Sequence, residues 1–347
     1  MPILPSIGTE LGTGWGALLK RVALDSEPFA DVLADQVRFR VTKVGATSIK
    51  HVVPDSAHAR ELWKHPETRR FMQGVLDLAN EVGDGPSQLG GISLATSDSG
   101  FVANRAVHHF KPGVTPSREA YAAGIDAARN HVDGNVAVRK GAWLHLGARR
   151  SEGLLHALEH PGISKEEMSK RVQRSLGTGV KTLLHELDHV GTPSTRQTKH
   201  LDWLREGRAE TFARWPGRVP HAGEELGLPV PRGIGRLADG HGPYQSEVKA
   251  VRALLRMAGI NTRKSADFEA ARKLIGLTPE GELSKRIASA VAKRHATSPE
   301  HARELRATVR KLIDHDIAPD GSHARSTAVR RLARELEQAR ADRLAAG

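Results

Sequence analysis

Gly177-Thr-Gly-Val-Lys-Thr-Leu-Leu-His185-Glu186-Leu187-Asp188-His189-Val-Gly191 is the stretch on which the reading of this chain turns. Residues 185–189 fit the pattern H-E-x-x-H. Residues i and i+4 share one helix face about one turn apart, so both imidazoles can reach one metal ion. A glutamate directly after the first histidine sits beside them, placed to take a proton from a metal-activated water. Val180, Leu183, Leu184 and Leu187 make an apolar stripe, while Thr182, His185, Glu186 and His189 lie on another side. That division predicts a helix with one face in a core and the other in a cleft. Thr178 is placed to cap its start, and Gly191 followed by Pro193 to end it. Asp188 is expected to face solvent.

The five-residue pattern needs a further ligand to carry weight. With 18 histidines in the chain, chance alone supplies H-E-x-x-H in roughly one such sequence in fifteen to twenty. Hydrolytic zinc sites hold the ion with three protein ligands and leave one position for water. After the turn-like residues 191–200 comes Leu201-Asp-Trp-Leu-Arg-Glu206-Gly-Arg-Ala-Glu210-Thr-Phe-Ala-Arg-Trp215, which reads as a second helix returning antiparallel to the first. Glu206 and Glu210 share a face of it. One can bind the metal and the other can accept the second N–H of a ligand histidine. His200 and Asp202, before that face, are alternative third ligands. Arg205 and Arg208 flank Glu206 and read either as contacts for acidic substrate groups or as exposed helix residues.

His185-Glu-x-x-His189 followed by Trp203-Leu-Arg-Glu206-Gly-Arg-Ala-Glu210 resembles the gluzincin metallopeptidases, whose second metal helix carries W-L-x-E-G-x-A-E or something close. The resemblance covers residues 140–260. It implies a zinc cofactor bound by His185, His189 and Glu206, with Glu186 as general base and Glu210 supporting a ligand histidine. It also implies a tyrosine or histidine beyond the third ligand as donor to the oxyanion. His241-Gly-Pro-Tyr244 lies there, and Tyr244 is the first choice, His241 the second. Sixteen residues separate His189 from Glu206, a short gap that points to a compact member of the group. The metzincin alternative fails, because Thr192 and Thr195 stand where it needs glycine and histidine. An edge strand that aligns an extended substrate is expected at residues 141–147.

Outward from this motif the chain divides into three zones. Residues 1–87 form an N-terminal α+β region, with a strand predicted at 36–43, a helix at 65–82 and a glycine-marked loop over Gly83, Gly85, Gly90 and Gly91. Residues 88–260 form the zincin-like metallopeptidase domain, with strands at 92–96, 101–107, 136–139 and 142–146. Helices there are expected after Thr115 and from a capping box at Ser164-Lys-Glu-Glu167. Residues 261–347 form a basic helical region with helix starts at Thr278-Pro279 and Ser298-Pro299 and a last helix over 326–345. The fold class expected is α+β: a zincin-like core with a small twisted sheet and a mainly helical C-terminal part.

Composition sets the remaining bounds. The 347 residues include no cysteine, which excludes disulfides, thiolate metal sites and cysteine nucleophiles. No run of apolar residues is long enough to span a membrane. The N-terminus has neither a basic segment nor a continuous apolar core, so no signal peptide is expected and the cytoplasm is the expected compartment, with export by another route left open. The net charge is +12. Residues 251–347 hold 20 Lys+Arg against 12 Asp+Glu, two-thirds of that excess. The sequence therefore supports two functions. One is a zinc peptidase acting on a peptide or protein. The other is a binder of nucleic acid or another anionic partner through the basic helices, with a structural or vestigial zinc. The chain has few aromatics for base stacking, which counts against the second.

Overall fold

The computed structural model describes residues 36–44, 49–82, 89–96, 134–137, 142–191, 201–232, 244–314 and 321–346. The strand expected at 101–107, the helix after Thr115, and His200 and His241 lie outside them. The fold is α+β, with many helices and one mixed sheet. Its contacts divide it into two compact units. One draws on Met1–Asp77, Gln88–Glu186 and Gly223–Pro231, the other on Leu78–Ser87, Leu187–Ala222 and Arg232–Gly347. No helix among the described residues is long and apolar enough to cross a membrane.

The first unit holds the sheet. Its strands are β1 (Gln36–Val44), β2 (Ile49–Pro54), β3 (Leu89–Ala95), β4 (Gly134–Ala137) and β5 (Ala142–Leu146), in the spatial order β2-β1-β3-β5-β4. β1 runs antiparallel to β2 and β3, β3 parallel to β5, and β4 antiparallel to β5. On β1, Val37 and Phe39 are buried while Arg40 is exposed, the alternation of a strand with one covered face. β3, in the middle, is buried on nearly every residue, and Ser93 spends its hydroxyl on Gln36 Oε1 at 2.7 Å.

Two sequence expectations fail here for physical reasons. Gly90 and Gly91 belong to β3, not to a loop. A Cβ on Gly91 would lie 2.7 Å from the Trp143 ring on β5, so the glycine makes room for an indole rather than a turn. The strand at 142–146 is not an edge, because β4 pairs along its outer side. The described edge on that side is β4.

Helices α1 (Ala57–Leu62) and α2 (Pro66–Val82) follow the first hairpin. Ser56 caps α1 by accepting the Ala59 N–H at 3.2 Å. On α2, Phe71, Val75, Leu76 and Leu78 are buried, the stripe read from the sequence. After β5, α3 (Ala148–Glu159) leads to α4 (Lys170–Gly191), the motif helix. α4 begins well ahead of the start assigned to Thr178. Ser169 accepts the Val172 N–H at 3.3 Å, and Thr178, now interior, donates its hydroxyl back to the Arg174 carbonyl at 2.7 Å. Glu167 does accept the Ser164 N–H at 2.7 Å, a bond that holds its carboxyl below the usual range, but this half-box caps a turn. Gly177 and Gly179 continue the helix. Gly179 and Gly153 let α4 and α3 touch backbone to backbone: a Cβ on Gly153 would stand 2.1 Å from the Leu176 nitrogen, and one on Gly179 2.4 Å from the Arg150 oxygen.

The second unit is helical. After α5 (Asp202–Ala213) and α6 (Arg218–Glu225) come α7 (Gln245–Met257), α8 (Leu283–His295), α9 (Pro299–Asp314) and α10 (Gly321–Ala346). One buried apolar cluster runs through it, including Trp203, Leu204, Phe212, Val251, Leu254, Ile287, Val309, Ile313 and Val329. The helices beyond residue 261 thus share a core with α5 rather than standing apart from it. Phe212, Trp215 and Phe268 meet edge to face, with ring centroids 5.5–6.3 Å apart.

Buried His295, at the end of α8, pairs its Nε2 with the Met257 carbonyl at 2.9 Å. Desolvation lowers its pKa below 6.5, outweighing the Met257 bond and the Glu337 carboxylate, while Arg294 and Arg340 push the same way. A depressed histidine stabilises the fold above the unfolded value and loses that contribution as pH falls below it. We therefore expect the thermal midpoint to fall as pH drops below 6.5. The His295 ring resonances should stay in the neutral state to lower pH than those of exposed histidines. An NMR titration giving His295 an ordinary midpoint would contradict this.

Candidate metal centre

Two consecutive helices build the centre. On α4, Val180, Leu183, Leu184 and Leu187 are buried as expected. His185 and Glu186 are also buried, each 6% exposed, and His189 is partly open. α5 starts at Asp202 and carries Trp203, Leu204 and Phe212 into the second unit's core. Gly207 allows that approach. A Cβ there would lie 2.8 Å from the Glu247 carbonyl carbon and oxygen on α7 and from a Val251 methyl. The glycine after Glu206 is therefore a packing requirement between α5 and α7.

His185, His189 and Glu206 come together. One ligand atom from each lies within 4.8 Å of the others. His189 Nε2 and Glu206 Oε2 are 3.4 Å apart, with both side chains partly exposed. Two ligands bonded at about 2.0–2.1 Å to a tetrahedral ion stand about 3.3–3.4 Å apart. The separation and the donor set, two imidazole nitrogens and one carboxylate oxygen, therefore fit a small divalent ion. Among the described residues this is the one such group of three or more. Asp202, the alternative read from the sequence, is outside it. Its Oδ1 accepts from Arg205 at 2.6 Å, at the start of α5.

Glu210 lies one turn beyond Glu206 and is buried at 1% exposure. Its Oε1 accepts from Arg214 Nε at 2.8 Å, so the carboxylate is neutralised within its own helix. Tyr244 stands at the N-cap of α7 with φ 65, the left-handed region, and no other described non-glycine residue shares that sign. A tyrosine there is strained, and such strain collects at functional positions. Its carbonyl accepts the Val248 N–H at 2.9 Å. Tyr244 is therefore one turn from the point where α7 meets Gly207, next to Glu206.

The clearest departure from the sequence reading is Asp188. It does not face solvent: it is 1% exposed, and Arg208 Nε donates to its Oδ2 at 2.8 Å. Arg208 is correspondingly not an exposed helix residue, being 1% exposed and among the largest fully buried side chains. Nothing in the sequence distinguishes these two charges from solvated ones, because the partner of each lies on another helix. No family model, curated protein or solved structure matches the chain.

Proposed function

We propose that this chain is a zinc-dependent peptidase whose ion is held by His185, His189 and Glu206. The observation that carries the reading is the convergence of those three ligand atoms within 4.8 Å, with Glu186 next to His185 on the same helix. Zinc in such a ligand set supplies a Lewis acid and a water acidified to near neutral pH. Glu186, buried beside the site, takes the proton of the attacking water and returns it to the departing amine. Tyr244, fixed at the head of α7, donates its phenol hydrogen to the oxyanion that develops on the substrate carbonyl. His241 is the second candidate for that task. An extended peptide adds by backbone pairing to β4, the described edge strand beside β5. Glu210, already paired with Arg214 through Oε1, is the carboxylate that would orient a ligand histidine.

The test is metal content together with cleavage of a mixed peptide library. We expect about one zinc per chain, cleavage that stops on chelation, and recovery when zinc is returned. Cleavage indifferent to chelation, or a chain that binds no zinc, would overturn the proposal.

A further inference from the structure

We infer that the buried Asp188–Arg208 ion pair is a positioning device for the metal ligands, fixing how α5 lies against the last turns of α4; this rests on the metal reading above. Asp188 immediately precedes His189, and Arg208 follows Glu206 by two residues. Arg208 Nε donates to Asp188 Oδ2 at 2.8 Å, and Nη2 lies 2.8 Å from the same oxygen. The two side chains are 1% and 2% exposed. Nη1 reaches the Ile275 carbonyl at 3.5 Å, so the same guanidinium touches a third segment of the unit.

As a source of stability such a pair is a poor choice. Withdrawing two charges from water costs much of what their attraction returns, and apolar residues of similar volume often do as well. What a guanidinium fork supplies is geometry. It is planar and holds its acceptor at a defined distance and angle, whereas apolar side chains tolerate sliding. Here that constraint acts within two residues of a ligand on each helix. A slip of a fraction of an ångström would be felt at the 3.4 Å His189–Glu206 approach. The Arg214–Glu210 pair stays within one helix and cannot set this relation. Gly207, whose backbone lies against Glu247, supplies a second constraint on α5. Glu206 is thus followed at once by a backbone contact at Gly207 and an ion pair at Arg208.

The experiment compares the full chain with Asp188→Leu/Arg208→Met, which replaces the pair by apolar groups, and with Arg208→Lys, which keeps the charge but loses the fork. Thermal midpoint and zinc affinity, by competition with a chromophoric chelator, are read separately. We expect the double variant to melt near or above the parent yet to bind zinc roughly 10–100-fold more weakly. Arg208→Lys should show a loss of affinity in the same direction. A double variant that folds and binds zinc as the parent does removes the positioning role and leaves the metal reading standing. A parent that binds no zinc removes both. Should the double variant not fold, Arg208→Lys with the parent's zinc affinity overturns the inference.

Discussion

Glu186→Gln is expected to leave the protein folded and metal-loaded and to reduce peptide hydrolysis by roughly 10²–10⁴-fold, the usual contribution of a positioned general base. The change is nearly isosteric, and the amide can keep a hydrogen bond where the carboxylate had one. Helix α4 is anchored by the buried Val180, Leu183, Leu184 and Leu187, all of which the substitution leaves in place. What disappears is a group able to accept a proton at neutral pH. The loss should therefore appear in kcat with little change in KM, because the proposed role of the residue is on the reacting water and not in substrate binding. Zinc content measured on the same sample separates this result from collapse of the site. A variant that retains its metal and cleaves as fast as the parent assigns the base elsewhere.

The motif was legible because helical spacing is a local property. His185, His189 and the stripe of Val180, Leu183, Leu184 and Leu187 need only a 3.6-residue period to be placed, and Glu206 needs only a second helix that returns. What escaped depended on partners distant in sequence. Asp188 reads as a solvated charge until Arg208, twenty residues on, is seen to bury with it. Gly91 reads as part of a loop until the Trp143 ring fills the space above it. Thr178 reads as a cap until the helix is seen to start earlier, with Gly179 inside it admitting the Arg150 carbonyl. The strand at 142–146 reads as an edge because pairing partners cannot be read from one strand's own residues. β4 supplies the missing neighbour.

Close packing at Gly153 sets the largest stability effect. Gly153→Ala should destabilise the protein although alanine is the better helix former. The added methyl would stand 2.1 Å from the Leu176 nitrogen, 2.5 Å from its Cα and 2.6 Å from the Ser175 carbonyl carbon. All three are backbone atoms of α4, so no rotamer change relieves the clash and one helix must move. Movement also strains the Gly153 N–H bond to Ser175 Oγ, 3.0 Å long in the parent. Overpacking of this kind costs typically about 1–3 kcal/mol, occasionally more, and the propensity gain of about 1 kcal/mol offsets only part of it. We expect a net loss of about 2 kcal/mol and a thermal midpoint lower by several degrees. Gly281→Ala, where nothing lies within 4 Å of the new methyl, is the matched control and should be nearly silent. Leu176 is nine residues before His185 on the same helix, so displacement of α4 at the crossing should carry through to the ligands. Zinc affinity is then expected to fall together with the midpoint. A Gly153→Ala protein with the parent's midpoint would mean that α3 and α4 are not in backbone contact at this crossing.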